Sequence, residues 1–189
     1  MELLEAIQKR RSVRRFTDYS VTDEELKQLI DAARCAPSWA NTQAWEFVIV
    51  RERPLIEKIA ETYSPQNPAR KCSAAASALI VACAKTGLSG CKEGRDVTKF
   101  SAWFMFDLGM AVQNLCLRAH EMGLGTVVVG LMDHDACRRI IALPDGFEAV
   151  AAIPVGRPEV AGREGPPRKS ANEITHLNRF GNPMFKSIS

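Results

Sequence analysis

Residues 100–130 read FSAWFMFDLGMAVQNLCLRAHEMGLGTVVVG. Apolar residues recur through the first part of this stretch at helical spacing, and further apolar residues cover the other faces of the same helix. A helix that is apolar nearly all round has to be buried on every side, and in a chain of this length a subunit interface can bury it. Gly123 is placed to end the helix, and TVVVG at 126–130 predicts a strand. The stretch therefore predicts a long buried helix from Phe100 to Gly123, then a strand, in a homodimer.

The remaining elements place helices at the start of the chain and strands later. A helix from Glu2 to about Lys9 is followed by one that opens at Thr22, where Glu25 completes a capping box, and that ends at Pro37. The other predicted elements are strands at 45–50, 78–84 and 149–156, a helix opened by Pro54, and a helix from Asp133 to Pro144. This order is not a strict alternation of strand and helix, and it favours an α+β fold.

Two segments lack such patterns. Residues 85–99 lose periodicity and collect Gly, Lys and Ser, which predicts a mobile loop or lid. The Pro- and Gly-rich arm at 157–167 and the tail after it have too little local pattern to fold alone. We expect the tail to lie across another surface, such as that of a partner subunit.

Size and composition indicate one globular domain over residues 1–189, with 46% hydrophobic and 25% charged residues. The net charge of +3 is mild for a nucleic-acid binder. Basic residues nevertheless form two clusters, which suit one anionic ligand of modest size. They are Lys9, Arg10, Arg11, Arg14 and Arg15 near the start, and Arg163, Arg168 and Lys169 near the end.

The six cysteines match no zinc or iron–sulfur spacing, and the three histidines are isolated, so no metal site is predicted. Cys35, Cys83 and Cys116 lie in apolar runs and are predicted to be core residues, whereas Cys91 is the candidate for an exposed thiol. The sequence shows no secretion signal or membrane span, and a reduced cytoplasmic protein is expected.

Familiar catalytic motifs are missing from the sequence. It contains no G-x-S-x-G, no P-loop and no H-E-x-x-H. The glycines of GLGTVVVG follow a helix and precede a strand, the reverse of the dinucleotide-binding order. None of these standard catalytic templates therefore applies to the chain.

The segment KRRSVRRF at 9–16 is a candidate phosphate site. Arg10 with Arg14, or Arg11 with Arg15, could present planar donors to one phosphate group, and Ser12 adds a hydroxyl. The alternative is that these cations complement the C-terminal dipole of the preceding helix and remain solvated. Taken alone, the segment favours that alternative.

The segment APSWANTQAWEF at 36–47 places short polar side chains just before a strand. The hydroxyl and amide groups of Ser38, Asn41 and Gln43 suit recognition of a uracil-like edge. An ordinary side-chain-stabilised turn explains the same residues equally well.

Together these segments resemble the nitroreductase family of FMN-dependent NAD(P)H oxidoreductases. The resemblance covers nearly the whole chain in order, with Ala44 where the family usually has proline. The matching motifs are R-R-S-x-R-x-F at 10–16, P-S-x-x-N-x-Q-x-W at 37–45, D-x-G-x-A-x-Q-N-L at 107–115, G-L-G-T at 123–126, G-x-P at 156–158 and P-R-K at 167–169.

The resemblance implies a central, mostly antiparallel sheet flanked by helices, with the C-terminal segment exchanged between the subunits of a homodimer. It also implies two FMN sites at the subunit interface. It assigns the FMN phosphate to Arg10 and Ser12, with Arg168 or Lys169 from the C-terminal arm, and it includes Arg11 among the cofactor-binding residues. It places Arg14 near the N1/O2 edge of the flavin ring, where negative charge collects on reduction.

Further site residues follow from the same resemblance. Pro37, Ser38 and Asn41 would come from the other subunit, with Trp39 covering the ring. Val129 and Gly130 would offer backbone groups to the N5 side of the flavin. Gln43 and Gly156 complete the predicted cofactor-binding set.

The function implied is hydride transfer from NAD(P)H through FMN to a small electrophile, such as a nitroaromatic, quinone or enone, by a ping-pong mechanism. Three alternatives remain open. They are a flavin enzyme of the same fold that performs dehalogenation or flavin degradation, an FMN-binding sensor without turnover, and a nucleic-acid module built on KRRSVRR. The last would need aromatic stacking partners, and the segment offers only Phe16.

Overall fold

The computed structural model describes residues 1–160, 162 and 164–185. Arg163 of the second basic cluster and the last four residues of the predicted tail lie outside these ranges. The helices are α1 (Leu3–Lys9), α2 (Asp23–Ala33), α3 (Arg53–Glu61), α4 (Ala69–Ala75), α5 (Phe104–Glu121), α6 (His134–Ile140) and α7 (Ala171–Ile174). The strands are β1 (Trp45–Val50), β2 (Ala78–Lys85), β3 (Cys91–Lys92), β4 (Arg95–Asp96), β5 (Gly125–Thr126) and β6 (Phe147–Gly156).

Four strands form a central sheet in the order β1-β2-β6-β5, and every neighbouring pair of them is antiparallel. Successive side chains of β2 point to opposite faces of the sheet. Ile80 and Ala82 pack with α2 and α5 on one face, and Leu79 and Val81 pack with α3, α4 and α6 on the other. The sheet is thus buried between two layers of helices, which confirms the predicted α+β fold.

Helix α2 begins as predicted. The Thr22 side chain accepts from the backbone N–H of Glu25, and the Glu25 side chain accepts from the backbone of Thr22. The helix ends at Ala33, well before Pro37, because the chain already turns over the intervening residues. Pro37 therefore follows the end of the helix and does not cause it.

Within this chain helix α5 buries one face, not every side as predicted, and it begins at Phe104, later than the predicted Phe100. Leu108, Ala111 and Leu115 are fully enclosed by the chain's own core. Met105 and Phe106 are exposed, at 49% and 63% of their surface. The chain therefore does not itself cover the start of this helix.

The strand predicted at 126–130 is wrong in its extent. Only Gly125 and Thr126 pair continuously with β6, and pairing resumes as a single bridge between Val129 and Ala152. The shared register places Val127 opposite Pro154. Proline has no N–H to donate, so the ladder is interrupted at this position.

Residues 85–99 contain a hairpin and are not structureless. Strands β3 and β4 pair through Cys91↔Asp96 and Lys92↔Arg95. Glu93 and Gly94 between them have φ values of 51° and 75°. Two central residues with positive φ form the two-residue turn that matches the twist of a hairpin.

Cys83 and Cys116 are buried as predicted, and burial raises the pKa of Cys83 to about 12. Cys35 is exposed, which corrects its assignment to the core: it lies past the end of α2 and its thiol donates to the Asp31 carbonyl at 3.2 Å. Cys91 is partly exposed. Among the described residues, no helix is long and apolar enough to cross a membrane, and no group of side chains could hold a metal ion.

Candidate cofactor site

The segment Arg10–Phe16 lies along the outer edge of the sheet, beside β5. Ser12 forms a parallel bridge with Thr126, and the Val13 N–H donates to the Thr126 carbonyl at 2.9 Å. At the other end of the segment, Phe16 bridges Pro158, just after β6. The segment is therefore held as an added edge strand.

Two glycines of the sheet allow this close approach. A Cβ atom on Gly125 would lie 2.6 Å from the Val13 side chain, and one on Gly156 would lie 2.8 Å from the Phe16 ring. Real Cβ atoms do not approach other heavy atoms so closely, so glycine is required at both positions for the segment to pack as it does. This packing sets the direction in which the intervening arginines project.

These arginines line a cleft of about 520 Å³ between the segment, the end of α5 and the C-terminal arm. Arg10, Arg11, Ser12, Arg14 and Arg15 all line this cleft. Its other walls include Cys116 and His120 of α5, Thr126 of β5, and Pro158 and Val160 of the arm. The structure thus brings together the whole N-terminal part of the predicted phosphate site.

The cleft is strongly cationic. Within the described residues, none of the arginines at 10, 11, 14 and 15 forms a salt bridge with a carboxylate. Arg11 donates through Nη1 to the carbonyls of Gln8 and Arg10, so it also caps α1 in the way that the alternative interpretation expected.

The Nε atoms of Arg10 and Arg11 are buried and have no hydrogen-bond partner among the described residues. Buried donors of this kind are costly unless a ligand accepts from them. The Nε atom of Arg11 lies against Gly165 of the arm, where a Cβ atom would be 2.3 Å from it. The charges and the remaining N–H groups of the cleft fit the terminal phosphate of FMN.

His120 is a residue of this cleft that the sequence did not indicate. Its Nε2 atom is buried without a partner in the described part of the chain. Burial lowers the pKa of His120, and the charges of Arg10 and Arg11 lower it further. In the sequence, His120 is only a histidine near the end of a predicted helix. It lies beside the basic segment in space but far from it along the chain.

The second predicted segment lies at a different cleft, of about 570 Å³. Pro37 lines this cleft together with Met105, Phe106, Gly109 and Met110 of α5. The Ser38 Oγ accepts from the Gln43 N–H at 2.9 Å, so Ser38 closes a turn as the structural alternative expected. Trp39 is half-buried.

Asn41 and Gln43 are exposed in this loop. Both stand in the left-handed region, with φ values of 55° and 48°, so a strained turn presents their amide side chains.

Three residues of the predicted cofactor set, Val129, Gly130 and Gly156, make close contacts within the chain. The N–H and C=O of Val129 both pair with Ala152, at 2.9 Å each, so the Val129 N–H is already engaged. Gly156 is buried beneath Phe16, and this close packing is the reason for glycine there. Gly130 is exposed, and its carbonyl lies 3.0 Å from Nε2 of His134.

Arg168 and Lys169 are exposed and line neither cleft. The arm reaches the cationic cleft of its own chain through Pro158, Val160 and Gly162 instead. Whether the two basic residues complete a phosphate site therefore depends on where the arm lies in an assembly.

A model of the nitroreductase family matches residues 7–157. The chain therefore belongs to the nitroreductase family, as its motifs predicted.

Relatives and solved structures agree with this assignment. A protein of Methanothermobacter thermautotrophicus named "Putative NADH dehydrogenase/NAD(P)H nitroreductase" is 34% identical over 162 residues, which cover 84% of this chain and 78% of that protein. FMN reductase (NADPH) of Bacillus subtilis is 24% identical over 200 residues, covering 94% of this chain and 74% of the relative. A crystal structure from Parabacteroides distasonis, of a protein with the same name as the first relative, has a TM-score of 0.77 at 31% identity and covers 94% of this chain and 98% of its own.

Proposed function

We propose that this protein takes a hydride from NAD(P)H and reduces a small electrophile, such as a nitroaromatic, quinone or enone, by a ping-pong mechanism in a homodimer. Its membership of the nitroreductase family, with relatives named NAD(P)H nitroreductase and FMN reductase, establishes the enzyme class. The protein is an FMN-dependent NAD(P)H oxidoreductase, as the sequence predicted. The acceptor, the mechanism and the site residues are part of the proposal.

The observation that carries the proposal is the cationic cleft with its unpartnered Arg10 and Arg11 donors. A phosphate monoester accepts several charge-assisted hydrogen bonds, each worth about 1.5–3 kcal/mol. Arg10, Arg11 and Ser12 would hold the phosphate. Arg14, exposed in the same cleft, would place its charge toward the flavin ring.

The loop from Pro37 to Gln43 would supply the other half of the site, from the partner subunit. On one chain Pro37, at the start of this loop, lines a different cleft from the arginines. An assembly of two chains would let the loop of one subunit face the arginines of the other.

The amount of exposed surface supports such an assembly. The chain exposes 11833 Å², whereas a compact monomer of its mass would expose about 8,900 Å². Apolar side chains account for part of the exposed surface: Leu3, Leu4 and Ile7 of α1, Phe106 of α5, and Ile174 and Phe180 near the end of the chain are each exposed by 50% or more. Three of these side chains, Leu3, Leu4 and Ile7, lie on the one short helix α1, and a partner subunit would cover them.

Bound FMN would supply the hydride-transfer chemistry between NAD(P)H and the acceptor. The residues of this chain bind and orient it. The arginines fix the phosphate and set the local positive potential, and the apolar side chains around the second cleft exclude water from the reacting groups. We expect no protein side chain to act as a nucleophile.

Two measurements on the purified protein test the proposal. Its absorbance spectrum and the flavin that it releases on denaturation should identify FMN. NADH and NADPH oxidation should then be followed with and without a quinone or a nitroaromatic compound. Faster oxidation with the acceptor supports the proposal, and bound FMN without turnover would favour the sensor. Finding FAD, or no affinity for either flavin, would contradict it.

A further inference from the structure

Asp107 in the first turn of α5 is a buried carboxylate with almost no exposed surface, at 1%. Its Oδ2 atom accepts from the backbone N–H of Trp39 at 3.1 Å. Its Oδ1 atom is also buried and has no partner among the described residues. Burying a carboxylate costs free energy, so the hydrogen bond that Asp107 accepts from Trp39 needs an explanation.

The contact lies in the most strained loop of the molecule that the structure describes. Ala40, Asn41 and Gln43 have φ values of 46°, 55° and 48°. Non-glycine residues rarely adopt this region, and three within four positions persist only where surrounding contacts hold them. The loop is also the one that carries the predicted ring-binding amides.

Two backbone hydrogen bonds, from Asn41 to Ser38 and from Thr42 to Trp39, form the turn of this loop. Three further hydrogen bonds that involve side chains restrain it. The Gln43 N–H donates to the Ser38 Oγ at 2.9 Å and closes the loop on itself. The hydroxyls of Thr42 and Ser89 lie 2.7 Å apart and join the loop to the segment before the β3–β4 hairpin. Among the described residues, the bond from Trp39 to Asp107 is the one hydrogen bond that joins the loop to helix α5. Asp107 therefore anchors the loop to the core of the protein.

We infer that Asp107 is a positioning residue: by accepting from Trp39 it holds the loop in the shape that keeps Ala40, Asn41 and Gln43 in the left-handed region, and so presents the two amide side chains to the flavin ring. This inference rests on the proposed function, because the ring is the expected ligand of the loop. Asp107 itself would not touch the ring. It acts through the backbone of Trp39, and its loss would change the loop before it changed the fold.

Two substitutions of similar size distinguish the hydrogen bond between Trp39 and Asp107 from the packing of the Asp107 side chain. Asp107→Asn keeps an oxygen that can accept from Trp39, and Asp107→Leu replaces it with an apolar group. Amide hydrogen exchange at Trp39, measured by NMR without flavin, should be slow in the unmodified protein and in Asp107→Asn. It should be faster by about ten-fold or more in Asp107→Leu, as expected for the loss of a hydrogen bond to a charged group.

FMN binding and the midpoint potential of the bound flavin give the functional readout. Asp107→Leu should weaken FMN binding by about ten-fold and shift the potential, and Asp107→Asn should restore both. Leu108→Ala is the matched control, because Leu108 is equally buried on the same helix but packs in the core. It should lower the melting temperature while leaving the flavin potential unchanged.

The inference is overturned if Asp107→Leu leaves Trp39 exchange unchanged. It is also overturned if Leu108→Ala reproduces the flavin effects in proportion to its loss of stability. If the unmodified protein bound no FMN, the proposed function would fail, and the exchange measurement would still decide whether Asp107 holds the loop.

Discussion

The two halves of the candidate site are held in different ways. The arginine segment at 10–16 is packed against Gly125 and Gly156 and bridged to the sheet at both ends. The loop at 37–43 is strained and is restrained by a few side-chain hydrogen bonds. The phosphate half is thus part of the sheet edge, and the ring half depends on individual polar side chains. A change in the first should alter both fold and cofactor binding, and a change in the second should alter the flavin environment first.

Removing a charge from the arginine segment should have the largest effect. It should also distinguish phosphate binding by Arg10 from the effect of Arg14 on the flavin ring. Arg10→Ala removes a phosphate ligand, and FMN affinity should fall by about ten- to one-hundred-fold, as expected for a charge-assisted hydrogen bond. Arg14→Ala should instead keep FMN but lower the flavin potential and slow reduction by NAD(P)H by roughly one to two orders of magnitude. Flavin titration and stopped-flow reduction measure the two effects. The opposite pattern would show that the segment has been assigned wrongly.

Crowding the sheet edge should disturb the arginine segment as a unit. A methyl group on Gly125 meets the Val13 side chain, so Gly125→Ala should cost about 1–3 kcal/mol of stability. FMN affinity should fall with it, because the displaced segment carries Arg10 and Arg11. Denaturant unfolding and flavin titration on the same variant check this. Unchanged FMN affinity in a destabilised variant would mean that the edge packing does not position the arginines.

Relief of strain in the loop should have a smaller effect, and of opposite sign. A left-handed alanine costs about 1–2 kcal/mol and glycine loses about 0.5–1 kcal/mol more chain entropy on folding. Ala40→Gly should therefore be neutral or stabilising by up to about 1 kcal/mol. Ala32→Gly in the last turn of α2, where alanine has ordinary helical geometry, is the control and should destabilise by up to about 1 kcal/mol. Equal destabilisation by both changes would argue against a strained loop.

The pH response of His120 should give the smallest effect, because the ring is only partly buried. Burial, Arg10 and Arg11 lower its pKa in the folded protein, so the unfolded chain binds the proton more readily. Stability of the flavin-free protein should therefore decline as pH falls below about 6.5, the ordinary histidine value, and through the lowered pKa of the folded state. Glu5 and Lys9 of α1 also act on this ring, with opposite signs.

His120→Gln should flatten this decline in urea unfolding followed across pH. Saturating sulfate should flatten it too, because an anion between the arginines offsets their effect on the ring. If stability declines to the same extent in His120→Gln, groups other than His120 cause the decline.

Much of the fold was predictable because its signals are local. The Thr22 capping box, the proline at the start of α3 and the apolar runs of β1 and β2 each act within a few residues. The errors came from contacts between distant residues. Nothing near Val127 in sequence shows that Pro154 lies opposite it, and nothing in the apolar run around Cys35 shows that α2 ends before it.

The site was predictable in part for the same reason. The arginines are adjacent in sequence, and the structure places them in one cleft. Gly156 was assigned to the cofactor although its neighbour is Phe16, and the engaged backbone of Val129 depends on pairing with Ala152. His120 and Asp107 act across the fold on residues far away in sequence, so periodicity and spacing could not assign their roles.

Mixing two inactive variants tests most directly whether the two halves meet across subunits. Arg10→Glu reverses the charge of the phosphate half, and Ser38→Trp removes the acceptor that closes the loop. If each site combines the arginines of one chain with the loop of the other, a mixed dimer has one site with both lesions and one intact site. Unfolding and refolding the two variants together should then restore about a quarter of the NAD(P)H oxidation activity for random pairing of chains. Mixtures that form dimers but stay inactive would contradict a shared site.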